Sequence, residues 1–362
     1  MAPSVAIDVR MARHAGIGTY IRHVVPRVVA ARPDWRFTLL GPREPVRDWG
    51  TDLASNAKVV RCRSNIYTLI EQLELPLRTP RAVNLFWSPH YNIPVFSRTP
   101  LVVTVHDVCH LAMPETYGGG LKLRYAQRMF DAVRRRARAV MFDSDFSHNE
   151  FERYVGAPRR ATTIHLGVGS DWFEPVAGTA PHLRPYIVFV GSTKPHKNLL
   201  TLLQAFERIR DAIPHDLVIV GGQDHRTVDT AALSVAARLG DRVRTVSDAD
   251  DEMLKRFVAH ATGLVLPSLY EGFGLPPLEA MAAGCPTLVS TAPALIEVCG
   301  GASLYCDPRD SDDMSRQISR LVGDARLRAR LIRAGRARAA QFDWDVCAER
   351  TVAVIERALA ES

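Results

Sequence analysis

Leu266-Pro-Ser-Leu-Tyr-Glu-Gly-Phe-Gly-Leu-Pro-Pro-Leu-Glu-Ala-Met-Ala-Ala-Gly-Cys-Pro-Thr-Leu-Val-Ser290 reads as a strand, a glycine-bearing loop, a short helix and a second strand. Pro276 and Pro277 suit the first helical turn, where a missing N–H costs nothing, and Gly284 suits the stop. Such a unit aims the N–H groups around Phe273, Gly274 and Leu275, at the positive end of the helix dipole, to where a phosphate can sit. Glu271 precedes the helix and Glu279 lies one turn inside it. Carboxylates flanking an anion site suit sugar and ribose hydroxyls better than the phosphate itself. An ordinary βαβ turn with a solvated Glu pair fits the same letters, so both readings stand on the residues alone.

Outward from this segment, short apolar runs alternate with longer helical patterns, the mark of an α/β chain with parallel sheets. Val5–Asp8, Phe37–Leu40, Ala82–Phe86, Leu101–Val105 and Ala139–Phe142 are expected strands of a first half. Tyr186–Val190, Leu217–Val220, Gly263–Leu266, Pro286–Val289 and Ala302–Tyr305 repeat the architecture. Between the halves lies a breaker-rich stretch without periodicity, and the last strong helical pattern runs over Trp344–Leu359. The expected organisation is therefore a first Rossmann-like domain over 1–170, a linker over 171–185, a second Rossmann-like domain over 186–343 and a C-terminal helix over 344–362. Open parallel sheets take ligands beyond the carboxyl ends of their strands, so two facing domains are expected to share one cleft.

The chain has 362 residues, 47% of them hydrophobic, which favours two ordinary domains and excludes disorder. No basic segment followed by an apolar run opens it, and no stretch is long enough to span a bilayer. A cytoplasmic protein is expected, peripheral at most on the inner face of a bacterial cell membrane. Its six cysteines are scattered without a Cys-x-x-Cys pair, so neither a disulfide framework nor a zinc knuckle is indicated. Residues 1–180 hold 24 Lys and Arg against 16 Asp and Glu, a one-sided positive field that suits an anionic membrane surface or a solvated face. Leu121–Arg138 reads as a basic amphipathic helix open to the same two readings. A nucleic-acid binder is disfavoured, because no stacking motif accompanies the charge. Asp143-Ser-Asp145 invites a divalent metal, but the same spelling recurs at Asp248/Asp250, Asp310/Asp312 and Asp343/Asp345, and no metal is expected.

Glu271-Gly-Phe-Gly-Leu-Pro-Pro-Leu-Glu279 resembles the E-x7-E element of the family 4 retaining glycosyltransferases. Gly16-Ile-Gly-Thr-Tyr20, Val105-His-Asp107, Phe142-Asp-Ser-Asp-Phe-Ser147, Val190-Gly-Ser-Thr-Lys-Pro-His-Lys-Asn198 and Ala294-Leu-Ile-Glu-Val298 fall in that family's order. The overall pattern looks closest to bacterial mannosyltransferases of surface polysaccharide assembly. The resemblance implies a GT-B fold, two Rossmann-like domains across a cleft, with C-terminal helices packing back toward the first. It implies that Glu279 binds the ribose, that Glu271 orients the donor sugar, and that the backbone from Gly272 to Leu275 holds sugar and phosphate. Gly191 and Ser192 join this donor site, and Lys197 matches a lysine on the pyrophosphate. Many relatives carry Arg where this chain has Ser192, so Lys194 or His196 would have to supply any second cation. Gly16 and Gly18 would let backbone approach the donor phosphate or the acceptor, and His106 would lie near the sugar. Asp107 reads as loop scaffolding.

The expected reaction is transfer with retention from a nucleotide diphosphate sugar, GDP-mannose first and UDP-sugars next, to a glycan or lipid-linked acceptor, without metal or other cofactor. A sugar-nucleotide epimerase on the same fold is the alternative, distinguished by conversion of donor alone.

Overall fold

Leu101–Val105, Tyr186–Val190 and Leu217–Val220 carry apolar side chains on both faces, as a parallel strand covered by helices on either side requires. All three are fully buried strands in the computed structural model, which describes residues 2–42, 55–117, 120–221 and 230–361. The chain divides into two compact units, residues 1–167 with 343–362, and residues 168–342.

The first unit holds β1 (Ser4–Asp8), β2 (Arg36–Leu40), β3 (Ala57–Val60), β4 (Leu85–Ser88), β5 (Leu101–Val105), β6 (Ala137–Phe142) and β7 (Ala161–Thr163). Among the described residues they form one parallel sheet in the order β3-β2-β1-β4-β5-β6-β7. Helices α1 (Ile17–Ala31), α2 (Leu69–Arg78), α3 (Cys109–Ala112), α4 (Pro114–Tyr117), α5 (Leu121–Arg136) and α6 (Asp145–Val155) surround it. Phe86, Phe130, Phe142 and Phe151 pack in one core cluster between sheet and helices. The second unit holds β8 (Tyr186–Val190), β9 (Asp216–Val220), β10 (Val243–Val246), β11 (Gly263–Leu266), β12 (Thr287–Ser290) and β13 (Leu304–Cys306), parallel in the order β10-β9-β8-β11-β12-β13. Its helices are α7 (Leu199–Ile209), α8 (Thr230–Leu239), α9 (Asp251–Ala259), α10 (Leu275–Ala282), α11 (Pro293–Cys299), α12 (Ser311–Gly323) and α13 (Ala325–Ala339).

Strand order reverses between β1 and β4 in the first unit and between β8 and β11 in the second. At such switch points neighbouring crossovers run to opposite faces and leave a crevice beyond the strand ends. The expected strand Ala82–Phe86 begins at Leu85, because a turn closed by Val83 N–H on the Pro80 carbonyl occupies its first residues. The expected helix to Arg138 stops at Arg136, where the chain enters β6.

Of the C-terminal helices expected to pack back toward the first domain, the last does so, and α12 and α13 stay with the second unit. Ser315 of α12 donates to the Ala205 carbonyl of α7, and Gly335 of α13 packs on Met281 of α10. The final helix, α14 (Trp344–Ala360), lies against α1: Trp344 stacks on His23 at 4.8 Å, and Asp345 accepts from Arg27 Nε at 2.6 Å. Residues 168–185 belong to the second unit, where Trp172 is buried beneath the Lys255 ammonium.

Gly167 lies so close to the start of α14 that a Cβ there would stand 2.2 Å from the Trp344 nitrogen. Backbone cannot yield as a side chain can. Gly167→Ala is therefore expected to destabilise the first unit by about 2–4 kcal/mol, read as a lowered unfolding midpoint in urea. An unchanged midpoint would refute this packing.

Candidate functional site

In the second unit, the turns that leave β8 and β11 meet at the sheet's switch point. Gly191, at a φ of +155°, ends β8, and the Lys197 stem runs across it, its Cδ 3.9 Å from where a Cβ would be. Ser192 and Lys194 are half-buried, and His196 is buried with its carbonyl accepting from Leu269 N–H. Asn198 adopts a left-handed φ of +61° and donates to the Pro267 and Pro308 carbonyls, pinning the Lys197 loop to the loop after β11. The result is an ion pair. Lys197 Nζ donates to Glu271 Oε1 at 2.7 Å and Oε2 at 3.0 Å, and Ser268 Oγ donates to Oε1 at 2.6 Å. The Lys197 side chain is 17% exposed and that of Glu271 10%.

Three residues after Glu271, the chain turns into α10. Gly274 caps this helix at a φ of +108°, and a Cβ there would meet Leu295 Cδ2 at 2.6 Å, so glycine is required on two counts. Gly272 is half-buried, and Phe273 is held by an edge contact with Phe342 at 5.8 Å. First-turn N–H groups have no intrahelical acceptor, and Pro276 and Pro277 have no N–H, so Gly274 and Leu275 supply the donors at this dipole end. Glu279, half-buried on the next turn, acts on Lys255: burial lowers that lysine's pKa, and the Glu279 charge pulls it partly back. Lys197, Glu271 and the α10 N-terminus thus gather beyond the carboxyl ends of the two central strands of one sheet.

The first unit gathers a different set at its own switch point. Gly16 caps α1 at a φ of +71°, and a Cβ on Gly18 would come 2.7 Å from the Ala12 carbonyl oxygen, so this turn is a tight backbone crossing. His106 follows β5. Its Nε2 donates to the Pro89 carbonyl at 2.9 Å, and its Nδ1 lies 2.5 Å from Asp143 Oδ2. A carbonyl only accepts, so Nε2 carries hydrogen and a further proton is shared between Nδ1 and the carboxylate. Burial opposes the charged ring, but the charge and hydrogen bond of Asp143 outweigh it and raise the His106 pKa above its ordinary 6.5. The ring of His106, expected near the sugar, is bonded to the protein at both nitrogens, and its backbone carbonyl accepts from Ser147. Asp107 accepts from Cys109 N–H, a loop-closing role.

The sequence reading missed a buried polar network beside it. Asp8, at the end of β1, accepts from Arg10 Nε at 2.9 Å and Nη2 at 2.7 Å, and lies 3.1 Å from His90 Nε2. Arg10 also pairs with Glu71 at 2.7 Å, and Asn92 donates to Glu71 at 2.7 Å. The available signal was a charged residue closing the apolar run Val5-Ala-Ile.

The Asp-x-Asp pairs have local uses. Asp250, Asp310 and Asp343 each cap a helix by accepting backbone N–H groups, and Asp143 serves His106. Among the described residues no group of three His, Cys, Asp or Glu side chains is placed to hold a metal ion.

The family profile described as "Glycosyl transferases group 1" matches residues 171–338. O-antigen chain mannosyltransferase B of Escherichia coli is 32% identical over 265 residues, 69% of this chain and 68% of that protein. MMP alpha-(1->4)-mannosyltransferase of Mycolicibacterium hassiacum is 35% identical over 212 residues, 57% of this chain and about half, 51%, of that protein. Sucrose-phosphate synthase of Thermosynechococcus elongatus superposes with a TM-score of 0.80 over 99% of this chain and 100% of its own, at 22% identity, which is a likeness of fold.

His106 binds its extra proton more tightly folded than unfolded, so its contribution is complete below the unfolded pKa and is lost as pH rises through the higher folded value. Asp143→Asn should erase that loss, cost about 1–3 kcal/mol at pH 6 and bring the ring's titration in NMR to lower pH. A ring that titrates unchanged would remove Asp143 as the cause.

Proposed function

This chain belongs to the group 1 glycosyl transferases and is a hexosyltransferase, and from that premise we propose that it moves mannose from GDP-mannose to a glycan or lipid-linked acceptor, with retention and without a metal ion. The mannosyl reading is supported by the two relatives, both named as mannosyltransferases. The reading of the reaction is carried by one observation, the Lys197–Glu271 pair set beside the N-terminus of α10.

The Lys197 ammonium and the Glu271 carboxylate neutralise each other. A diphosphate at the α10 N-terminus offers Lys197 a stronger partner, and the sugar attached to it offers Glu271 hydroxyl donors. One exchange then leaves neither ion buried alone, the outcome that would otherwise cost several kcal/mol. Glu279, on the next turn, takes the ribose hydroxyls. As the anomeric C–O bond breaks, negative charge grows on the departing phosphate, where Lys197 and the fixed N–H groups at Gly274 and Leu275 meet it. After that exchange Glu271 accepts from the sugar hydroxyls and from Ser268, so a front-face displacement fits better than a covalent intermediate on it. In it, the leaving phosphate accepts the acceptor's proton on the face from which the new bond forms.

Thermal unfolding in EDTA buffer is the first test. GDP at a hundredfold over its Kd should raise the midpoint of the donor-binding unit by about 5 °C, and UDP by less. A larger shift with UDP would replace the guanine assignment, and shifts that need magnesium would replace the metal-free one. By titration calorimetry, Glu279→Ala should weaken GDP binding by about 1.5–3 kcal/mol.

Lys197→Ala separates ground-state binding from chemistry. Backbone donors still hold the diphosphate, whereas the growing charge loses its cation, so single-turnover transfer at saturating donor should fall about 10²–10³-fold. A near-normal rate in the folded variant would move the role to Lys194 or His196.

A further inference from the structure

α2 is built inside out. It buries Glu71, Gln72 and Leu75, at 0%, 3% and 0% exposure, and turns Leu69, Ile70, Leu73 and Leu77 to solvent at 82%, 70%, 61% and 84%. Positions i, i+1, i+4 and i+8 fall on one stripe of a helix, so the four side chains form a continuous apolar ridge. The polar face is fastened: Arg10 and Asn92 hold Glu71, the Thr68 N–H closes a capping box on it, and Gln72 accepts from Val95 N–H. Phe96, next in the chain after Val95, is 68% exposed. Leu121, 83% exposed, starts the helix whose Tyr125 bonds Asn92. The apolar face therefore cannot turn inward without breaking a buried ion pair.

The rim of this ridge is positive. Arg61 and Arg63 precede α2, Arg78 and Arg81 end it, with Arg78 4.0 Å from Glu74, and Lys122 and Arg124 follow Leu121, all exposed. The two acids of α2 face away, Glu71 in the core and Glu74 accepting the Arg63 and Ser64 N–H groups. Over 61–136 the chain carries 11 Lys and Arg against 5 Asp and Glu. By contrast α5, the basic helix of the sequence reading, neutralises its last turn, since Arg134 and Arg135 pair with Asp131 and Arg136 donates to the Val95 and Ser97 carbonyls.

We infer that this face docks on an anionic lipid bilayer, with the α2 ridge entering the boundary between headgroups and acyl chains while the flanking arginines and lysine hold lipid phosphates. A second copy of the chain fits poorly, because an isologous contact would press one positive rim against another. No described helix is long and apolar enough to cross a membrane, so the contact is a surface one. The inference goes beyond the donor chemistry above and does not depend on it.

The six native cysteines are buried, so a single introduced cysteine can be labelled selectively. Leu73→Cys carrying a polarity-sensitive fluorophore is mixed, without nucleotide, with vesicles of phosphatidylcholine alone or with added phosphatidylglycerol, and Arg326→Cys in the second unit serves as the reference site. A blue shift at position 73 only, with anionic vesicles only, weakening as salt is raised, is the expected result. The unlabelled Leu69→Ser/Leu77→Ser protein, with its circular dichroism melt unchanged, should partition to anionic vesicles about tenfold less or worse. No shift at position 73, equal response to neutral vesicles, or a dimer in light scattering that this double substitution dissociates would overturn the inference. If GDP gave no thermal shift while the vesicle result held, the donor assignment alone would fall.

Discussion

A carboxylate as enclosed as Glu271 has to be given a cation and donors, and the second unit is arranged around that requirement. Lys197 can reach it only because Asn198 takes a left-handed turn and ties its loop to the carbonyls of Pro267 and Pro308. Ser268 supplies the remaining donor, and Gly274 then lets the chain fold directly into α10. The loops after β8 and β11 are thereby locked to each other by side chains that also have the chemistry to hold a sugar diphosphate.

The buried strands were legible because a parallel strand covered on both faces is an uninterrupted apolar word. The three strands the sequence reading missed, β3, β7 and β10, are all sheet edges with half-exposed residues, where solvent removes the need for such a run. The E-x7-E segment could be placed by its prolines and glycines. That Lys197 would lie on Glu271 could not, because the contact joins loops 74 residues apart and depends on the turn at Asn198. The place of His106 at the end of its strand could be read, yet its partners Asp143 and Pro89 lie just past other strands, and with them comes the commitment of both ring nitrogens. The Asp-x-Asp spelling recurs for a local reason, since an acid that caps a helix is often followed by another in the first turn.

Burial also explains why α2 escaped notice. Leu-Ile-Glu-Gln-Leu-Glu-Leu-Pro-Leu-Arg reads as an amphipathic helix whose leucines belong in the core. Tertiary structure inverts that choice because Arg10 and Asn92 hold Glu71 in the interior, where the buried guanidinium meets its second carboxylate.

The first unit is assembled from both ends of the chain, since α14 closes on α1 only after residues 168–342 have been made. Synthesis on the ribosome runs in one direction, so the second unit has all its strands and helices in hand while the first still lacks its last helix. Until Trp344 and Ile355 emerge, the face of α1 around His23 and Arg27 has nothing to close on. The nascent protein therefore passes through an interval with one finished half and one open one, in which the open half is the natural client of a chaperone.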